Sequence, residues 1–295
     1  VAVKIVELAS AGGASRERIE SSLKREVDIL KNLHHPCLIH LIAFKKEETR
    51  ALIVLPYCRG GDLFDLATSP SRSDLLLPRV VQRLFAELVS AVLYLHDNNI
   101  VHRDIKLENV LLNVEQRSLL AAIESTKAIT TLTDFGLSRH IDPENPMLTT
   151  RCGSEDYAPP ELIMGQPYDG RQTDAWALGV LLYALMEGRF PFDLPPPLIA
   201  PDGSATATAT TTTTSAGSRK SGGTRNRVKH RIARIEWCWV DDDDDDDYDE
   251  SMKDWKGAMK IVEMCLRRKD SRWSVREIAE SQFVKGALNF DLERP

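Results

Sequence analysis

Cysteine is scarce in this chain, and its spacing fits neither a disulfide framework nor a zinc site. The 295 residues include five cysteines, an odd number without a Cys-x-x-Cys pair. That pattern argues against both kinds of cross-link and favours a reducing compartment. The sequence also has no signal peptide and no apolar run of the roughly 18 residues that a membrane span requires. We therefore expect a protein of the cytoplasm or the nucleus that does not enter a membrane.

An excess of one charge sign is confined to a single short stretch. The formal net charge is −6, but seven consecutive aspartates occupy residues 241–247, so the rest of the chain is close to neutral. No basic field typical of nucleic-acid binding is evident, and we expect no nucleic-acid partner. The hydrophobic content of 42% is ordinary for a globular protein and allows a large core.

Two stretches read as insertions into an otherwise globular pattern. Residues 195–250 hold three consecutive prolines, an Ala/Thr tract, a basic stretch and the acidic run. Such composition buries too little apolar surface to offset chain entropy, so we predict disorder there. The exception is 232–240, where Trp237 and Trp239 are expected to pack on the folded part. Residues 114–128, between two short predicted strands, exceed a tight hairpin loop and are predicted to be a surface insertion.

The remaining sequence alternates between strand and helix patterns. Residues 1–6 alternate as a strand does, and 15–33 show helical periodicity. Residues 75–98 form a long amphipathic pattern with a proline in the first turn, where proline is tolerated. Residues 173–188 are apolar on nearly every side, which predicts a helix at the centre of the fold.

Two short runs carry most of the functional information. The run HRDIKLEN at 102–109 places the carboxylate of Asp104 and the carboxamide of Asn109 five residues apart, and DFG follows at 134–136. Phosphoryl transfer uses such groups: a carboxylate that accepts the proton of the attacking hydroxyl, and oxygen ligands for Mg²⁺. Both runs resemble the catalytic and metal-binding loops of eukaryotic protein kinases.

The resemblance implies an α+β, two-lobed protein-kinase fold and a reaction that uses ATP and Mg²⁺. Asp104 would be the catalytic base, and Asn109 and Asp134 would be the Mg²⁺ ligands. Lys106 matches the lysine with which serine/threonine kinases neutralise charge on the transferred phosphate. Ser154 matches the small hydroxyl that contacts the aspartate and the lysine in those enzymes.

Lys4 and Glu26 form a second constellation. Glu26 lies on the same helix face as Leu23 and Leu30, where an unpaired carboxylate would be costly. Lys4, on the strand face beside Ala2, is its obvious partner. By resemblance, this lysine holds the α- and β-phosphates of ATP.

The adenine site is predicted by resemblance at the hinge between the lobes. Leu55 falls at the gatekeeper position, and Tyr57 and Cys58 follow in the hinge. Backbone groups around Cys58 would meet the adenine base, with Ala2 on the neighbouring strand.

Substrate and regulatory residues follow from the same resemblance. Asp62 and Glu108 match the acidic pair that basophilic kinases use to bind arginine upstream of the acceptor hydroxyl, although both could equally be solvated surface charges. Arg103 would pair with a phosphate on Thr149 or Thr150, which could equally be unmodified loop threonines.

Further matches extend the resemblance along the chain. Glu161, in a Pro-Pro-Glu run, is expected to pair with Arg272, and Asp174 to anchor the catalytic loop. Residues 152–157 and 173–192 look most like the calcium/calmodulin-dependent and AMP-activated kinase group, and their sequence is typical of fungal members. We divide the chain into a partial, β-rich N-lobe (1–57) and a mainly helical C-lobe (58–295).

One element of the kinase pattern is not found. The Gly-x-Gly-x-x-Gly loop normally precedes the lysine strand, whereas Gly12 and Gly13 follow Lys4 without that spacing. We expect an N-terminally truncated chain, through an omitted segment or a shortened gene model, and a kinase that naturally lacks the loop is the least favoured explanation. Such a chain should bind ATP weakly and associate through its exposed first strand. The leading hypothesis is a basophilic serine/threonine kinase, and the alternatives are a pseudokinase or scaffold and a small-molecule kinase.

Overall fold

The computed structural model describes residues 1–8, 14–194, 222–239 and 253–287. It has the α+β architecture that the sequence predicts, with a small sheet-containing lobe and a larger, mainly helical lobe. The strands are β1 (Ala2–Glu7), β2 (Ala43–Lys46), β3 (Arg50–Leu55), β4 (Ile100–Val101), β5 (Val110–Leu112), β6 (Thr130–Leu132), β7 (Arg139–His140), β8 (Met147–Leu148) and β9 (Tyr168–Asp169). The helices are α1 (Ala14–Asn32), α2 (Leu63–Thr68), α3 (Arg72–Leu75), α4 (Pro78–Asp97), α5 (Leu119–Ala122), α6 (Pro160–Ile163), α7 (Gly170–Glu187), α8 (Gly222–Arg234), α9 (Lys256–Cys265), α10 (Val275–Glu280) and α11 (Gln282–Lys285).

The small lobe contains an antiparallel sheet of order β1-β3-β2 and helix α1, whose Glu26 pairs with Lys4 of β1. Side chains of β1 alternate as the period of a strand requires. Lys4 lies on the more buried face, whereas Val1, Val3 and Ile5 are exposed. In the order β1-β3-β2, β1 lies at one edge of the described sheet, and its outer face is apolar.

Helix α7 lies at the centre of the large lobe. Its first turn is capped by Asp169, whose carboxylate accepts a hydrogen bond from the Arg171 backbone N–H. Nearly every side chain of the helix is buried, as the apolar pattern predicts, and Trp176 stacks on Phe192 with ring centroids 5.5 Å apart. Helices α4 and α9 pack against α7, and their buried side chains belong to the same hydrophobic core as Val27 of α1 and Ile53 of β3.

The prediction that 114–128 is a surface insertion is wrong in part. Helix α5 lies within this segment, and Leu119 and Ile123 are buried in the main core. Arg83 of α4 donates a hydrogen bond of 3.0 Å to the carbonyl of Ser125. Burial of two large apolar side chains and this polar link keep the segment packed on α4.

The prediction of disorder across most of 195–250 is also wrong for part of the stretch. The basic run forms α8, because Val228 and Ile232, four residues apart, fall on one helix face and are buried in the core. Helix α8 also contacts α6, and most of its remaining side chains are polar or small. Residues 195–221 and 240–252 lie outside the described part of the chain.

The expected packing of the two tryptophans is confirmed. Trp237 meets the ring of Tyr183 edge-on, with ring centroids 6.0 Å apart, and Trp239 stacks on the same Tyr183 ring at 5.2 Å.

In the described part of the chain, no helix is both long and apolar enough to cross a membrane.

Candidate active site

Lys4 connects two acidic groups between the lobes. Its ammonium group lies 2.7 Å from Glu26 Oε1 and 3.2 Å from Asp134 Oδ1. Burial by itself lowers the pKa of Lys4, but Glu26 and then Asp134 outweigh it, so the pKa lies above its usual value. The predicted Lys4–Glu26 pair is therefore present, and Lys4 is held as a cation next to Asp134.

Asp134 sits at a sharp backbone turn. Its φ of 63° is in the left-handed region, and its side chain caps the short 3-10 turn that follows. A Cβ atom on Gly136 would lie 3.3 Å from Asp134 Oδ1 and 3.6 Å from Glu26 Oε2, so glycine leaves room for both carboxylates. Burial opposes ionisation of Asp134, yet the charge of Lys4 prevails and the pKa of this carboxyl is below its usual value.

Asp104 is surrounded by hydrogen-bond donors. The Ser154 backbone N–H and hydroxyl both donate to Asp104 Oδ1, each at 3.0 Å. The ammonium group of Lys106 donates to Asp104 Oδ2 at 2.8 Å and to Ser154 Oγ at 3.1 Å. The three side chains therefore form one connected group with a carboxylate at its centre.

The carboxamide of Asn109 is oriented by the same loop. Its nitrogen donates to the Asp104 carbonyl at 2.8 Å and to Asp104 Oδ2 at 3.2 Å. The Asn109 amide oxygen has no hydrogen bond within the described residues, and neither has Asp134 Oδ2. These are the hard oxygen donors that Mg²⁺ prefers, and the described residues contain no cluster of three or more His, Cys, Asp or Glu that could hold a metal. Asn109 and Asp134 would therefore suit Mg²⁺, which commonly binds proteins through one or two side-chain oxygens and takes its other ligands from water and phosphate.

Asp174 of α7 fixes the backbone of the catalytic loop, as the sequence predicts. Its carboxylate accepts hydrogen bonds from the backbone N–H groups of His102 and Arg103, at 2.9 and 2.8 Å. His96 Nε2 lies 2.9 Å from Asp174 Oδ2. The loop is thereby tied to the most buried helix of the fold, and the φ of 66° at Arg103 is held by these bonds.

Glu161 and Arg272 form the expected ion pair. The two guanidinium nitrogens of Arg272 lie 2.7 and 3.1 Å from the two carboxylate oxygens of Glu161, and both side chains are buried. The guanidinium carbon also lies 4.9 Å from the ring centroid of Trp176. This bidentate pair joins the segment after Ser154 to the end of the large lobe.

The hinge residues lie where the sequence places them, at the end of β3. Ala2 pairs with Leu55 across β1 and β3, so both belong to the sheet that meets the hinge. Tyr57 is 66% exposed, and Cys58 is half-buried with a thiol pKa raised by burial. Among the described residues, no backbone–backbone hydrogen bond involves Tyr57 or Cys58.

The two predicted substrate carboxylates differ in their surroundings. Glu108 is exposed in the 3-10 turn of residues 107–109, which contacts α2. Asp62 caps α2, because its Oδ1 accepts a 2.8 Å hydrogen bond from the Asp65 backbone N–H, and burial raises the pKa of Asp62. Asp62 thus has a structural task in addition to any contact with a substrate.

Arg103 is partly engaged by the protein itself. Its Nε donates to the Leu137 carbonyl at 2.8 Å and its Nη1 to the Tyr168 hydroxyl at 3.4 Å. Thr149 and Thr150, the predicted phosphate acceptors, are both exposed. They are accessible for modification, while Arg103 already holds two neighbours.

Sequence reasoning missed two contacts near the site. Tyr168 binds both Arg103 and the segment that follows β8, although no local pattern marks it. Lys229 of α8 lies 2.9 Å from Glu155, the neighbour of Ser154. The opposite charges are compatible with an ion pair, but the two residues are 74 positions apart in sequence, and no local pattern connects them.

Comparison with known proteins supplies the family. The model of the protein kinase domain matches residues 1–284. The chain belongs to the protein kinase family. This confirms the resemblance drawn from the two motifs and the two-lobed α+β fold, and members of the family use ATP and, in general, Mg²⁺.

The relatives carry serine/threonine kinase names. The chain is 40% identical over 294 residues to serine/threonine-protein kinase PRR1 of Saccharomyces cerevisiae, covering 91% of this chain and 50% of that protein. It is 39% identical over 202 residues to serine/threonine-protein kinase ppk27 of Schizosaccharomyces pombe (67% and 48%). It is 39% identical over 171 residues to NUAK family SNF1-like kinase 2 of Homo sapiens (58% and 25%). The chain thus spans about half, or less, of the length of these relatives.

Proposed function

We propose that this chain catalyses transfer of the γ-phosphate of ATP to serine or threonine hydroxyls of proteins. The observation that carries the proposal is the connected group of Asp104, Lys106 and Ser154, with every bond between 2.8 and 3.1 Å. A carboxylate held in this way can accept a proton from an alcohol. Lys4 and Asp134 supply a cation and an anion where phosphates and their metal would bind.

The proposed roles follow from what each side chain can do. Asp104 orients the acceptor hydroxyl and takes its proton, because its carboxylate is fixed on both oxygens. Lys106, 2.8 Å from Asp104, places positive charge where negative charge develops on the transferred group. Ser154 holds the acceptor segment next to the base.

The nucleotide is proposed to occupy the space between the lobes. Lys4 contacts its α- and β-phosphates, Asn109 and Asp134 hold Mg²⁺, and the backbone around Cys58 meets the adenine between Ala2 and Leu55. When bound, Mg²⁺ neutralises phosphate charge and thereby favours transfer. Glu26 keeps Lys4 aimed at this space through the 2.7 Å ion pair.

Substrates are proposed to carry arginine two or three residues before the acceptor. Glu108 is exposed, and Asp62 retains a second carboxylate oxygen beyond the one that caps α2. Two carboxylates on neighbouring elements favour a guanidinium group. Asp62→Asn combined with Glu108→Gln tests this without loss of the cap, since asparagine caps helices as well as aspartate does. A peptide array should lose its arginine preference in this double variant and keep it in Glu263→Gln on α9, and an array indifferent to arginine in the unaltered chain would contradict the preference.

Regulation by phosphate is proposed at Thr149 or Thr150, with Arg103 as the phosphate partner. The two hydroxyls are exposed, and a phosphate group would gain charge-assisted hydrogen bonds from the guanidinium. Thr149→Ala with Thr150→Ala should then prevent any activation that follows treatment with an upstream kinase.

The decisive experiment is phosphate transfer from labelled ATP to a mixed peptide library, followed by identification of the labelled residue. Label on serine and threonine, lost in Asp104→Asn and kept in the exposed-loop control Asp142→Asn, is the expected result. A folded chain that binds peptide but transfers no phosphate would instead favour a scaffold role. Transfer to small alcohols in preference to peptides would favour a small-molecule kinase.

A further inference from the structure

A short pairing holds the segment that leads to Ser154. Strand β8 pairs antiparallel with β9, and Leu148 lies opposite Tyr168. Strand β9 in turn leads directly into α7, whose first turn is capped by Asp169. The chain just before Thr150 is therefore attached to the start of the most buried helix.

The hydroxyl of Tyr168 adds a polar link at this point. It donates a 2.7 Å hydrogen bond to the Thr150 carbonyl and accepts one of 3.4 Å from Arg103 Nη1. Cys152 Sγ lies 3.9 Å from the same oxygen. One hydroxyl thus contacts the catalytic loop and, at two positions, the segment before Ser154.

The surroundings of Tyr168 keep its side chain in one position and its hydroxyl protonated. Tyr168 is only 2% exposed, so its ring is fixed by packing. Burial raises the pKa of the Tyr168 hydroxyl above its usual value, and the group therefore keeps the proton that it donates to Thr150. Water does not reach this buried site, and so it cannot take the place of the hydroxyl if the bond is lost.

We propose that Tyr168 is a positioning residue for the phosphotransfer proposed above, because its hydroxyl holds the Thr150–Ser154 segment against Arg103 and so keeps Ser154 on Asp104. Ser154 follows Thr150 by four positions in the chain, and its hydroxyl is 3.0 Å from Asp104. A displacement of the Thr150 backbone should therefore also displace Ser154, on the side of the site proposed to bind the acceptor.

Tyr168→Phe isolates the hydroxyl and keeps the ring in the core. The substitution removes the neutral hydrogen bond to the Thr150 carbonyl together with the longer, 3.4 Å bond from Arg103. Loss of the neutral bond corresponds to roughly a three- to tenfold change. We expect kcat/KM for a peptide substrate to fall by about that factor while KM for Mg-ATP stays the same. A general loss of stability would not separate the two substrates in this way.

Tyr183→Phe is the matched control. Tyr183 is also buried, and its hydroxyl also donates a 2.7 Å hydrogen bond to a backbone carbonyl, that of Cys238. Neither partner touches the catalytic loop. We expect this variant to leave both kinetic constants unchanged.

Amide hydrogen exchange of residues 150–154 provides a second readout that does not require turnover. Exchange there should be about three- to tenfold faster in Tyr168→Phe and unaltered in Tyr183→Phe. Equal kinetics and equal exchange in the two variants would overturn the proposal. If the unaltered chain transfers no phosphate, the proposed function fails, and the exchange comparison then decides the hydroxyl link alone.

Discussion

The hydroxyl and the backbone N–H of Ser154 donate to the same carboxylate oxygen of Asp104, both at 3.0 Å. The two residues are 50 positions apart in sequence and belong to different loops. Asp104 is therefore fixed from outside its own loop, and any group bound against Ser154 is brought close to a carboxylate that can accept a proton.

Removal of the Ser154 hydroxyl should weaken this arrangement. Ser154→Ala deletes the hydrogen bonds of this hydroxyl to two charged groups, Asp104 and Lys106, and one such bond corresponds to about 1.5–3 kcal/mol. We expect kcat/KM for peptide to fall roughly 10- to 100-fold. Ser154→Thr keeps the hydroxyl and serves as the control, with activity close to that of the unaltered chain. Equal losses in both variants would show that side-chain volume matters and the hydroxyl does not.

Lys4 should govern the ionisation of Asp134. Burial alone raises the pKa of this carboxyl, and the charge of Lys4 now outweighs burial. In Lys4→Met the pKa of Asp134 should rise above its present value, and so the carboxylate should take up a proton at higher pH. Carboxyl carbon NMR of both forms measures this shift. A pKa that does not move would mean that Lys4 has little electrostatic influence at the site.

The Glu161–Arg272 pair should contribute strongly to stability. Glu161→Gln leaves the buried guanidinium of Arg272 without its charged partner, which costs roughly 3–5 kcal/mol in such pairs. Urea unfolding of the large lobe should show this loss. Glu263→Gln removes a carboxylate of similar size from an exposed pair with an N–O distance of 3.8 Å and should change the free energy of unfolding by less than about 1 kcal/mol.

Protonation of His35 should make the free energy of unfolding depend on pH. Burial lowers its pKa to about 4, whereas in the unfolded chain the value is about 6.5. The folded pKa lies below the unfolded one, so the stability is complete above about pH 6.5 and is lost as the pH falls towards the folded pKa of about 4. The free energy of unfolding, measured between these limits, should fall less steeply in His35→Asn than in the unaltered chain. Parallel curves would contradict this assignment.

Local patterns predicted much of the site because kinase chemistry depends on short runs. The run at 102–109 brings Asp104 and Asn109 together within one loop, and helical periodicity alone placed Glu26 on the face that meets Lys4. Pairings over longer distances, such as Glu161 with Arg272, were reached through family resemblance. The distances and hydrogen-bond partners in these contacts could be obtained only from the structure.

Other features escaped the sequence for physical reasons. Five of the 13 residues of α8 are Lys or Arg, and the pair Val228 and Ile232 marks the face that packs on the core. Its composition therefore suggested disorder. Tyr168 contacts Thr150 through one hydroxyl across 18 residues, and no periodicity encodes such a bond.

The central claim is tested most directly by Asp134→Ala in a phosphotransfer assay with a serine or threonine peptide and Mg-ATP. The account predicts that turnover is abolished, by a factor of about 100 or more, because a proposed metal ligand and the anion next to Lys4 are both lost. Circular dichroism should show that the variant remains folded. Turnover unchanged in folded Asp134→Ala would contradict the proposed site.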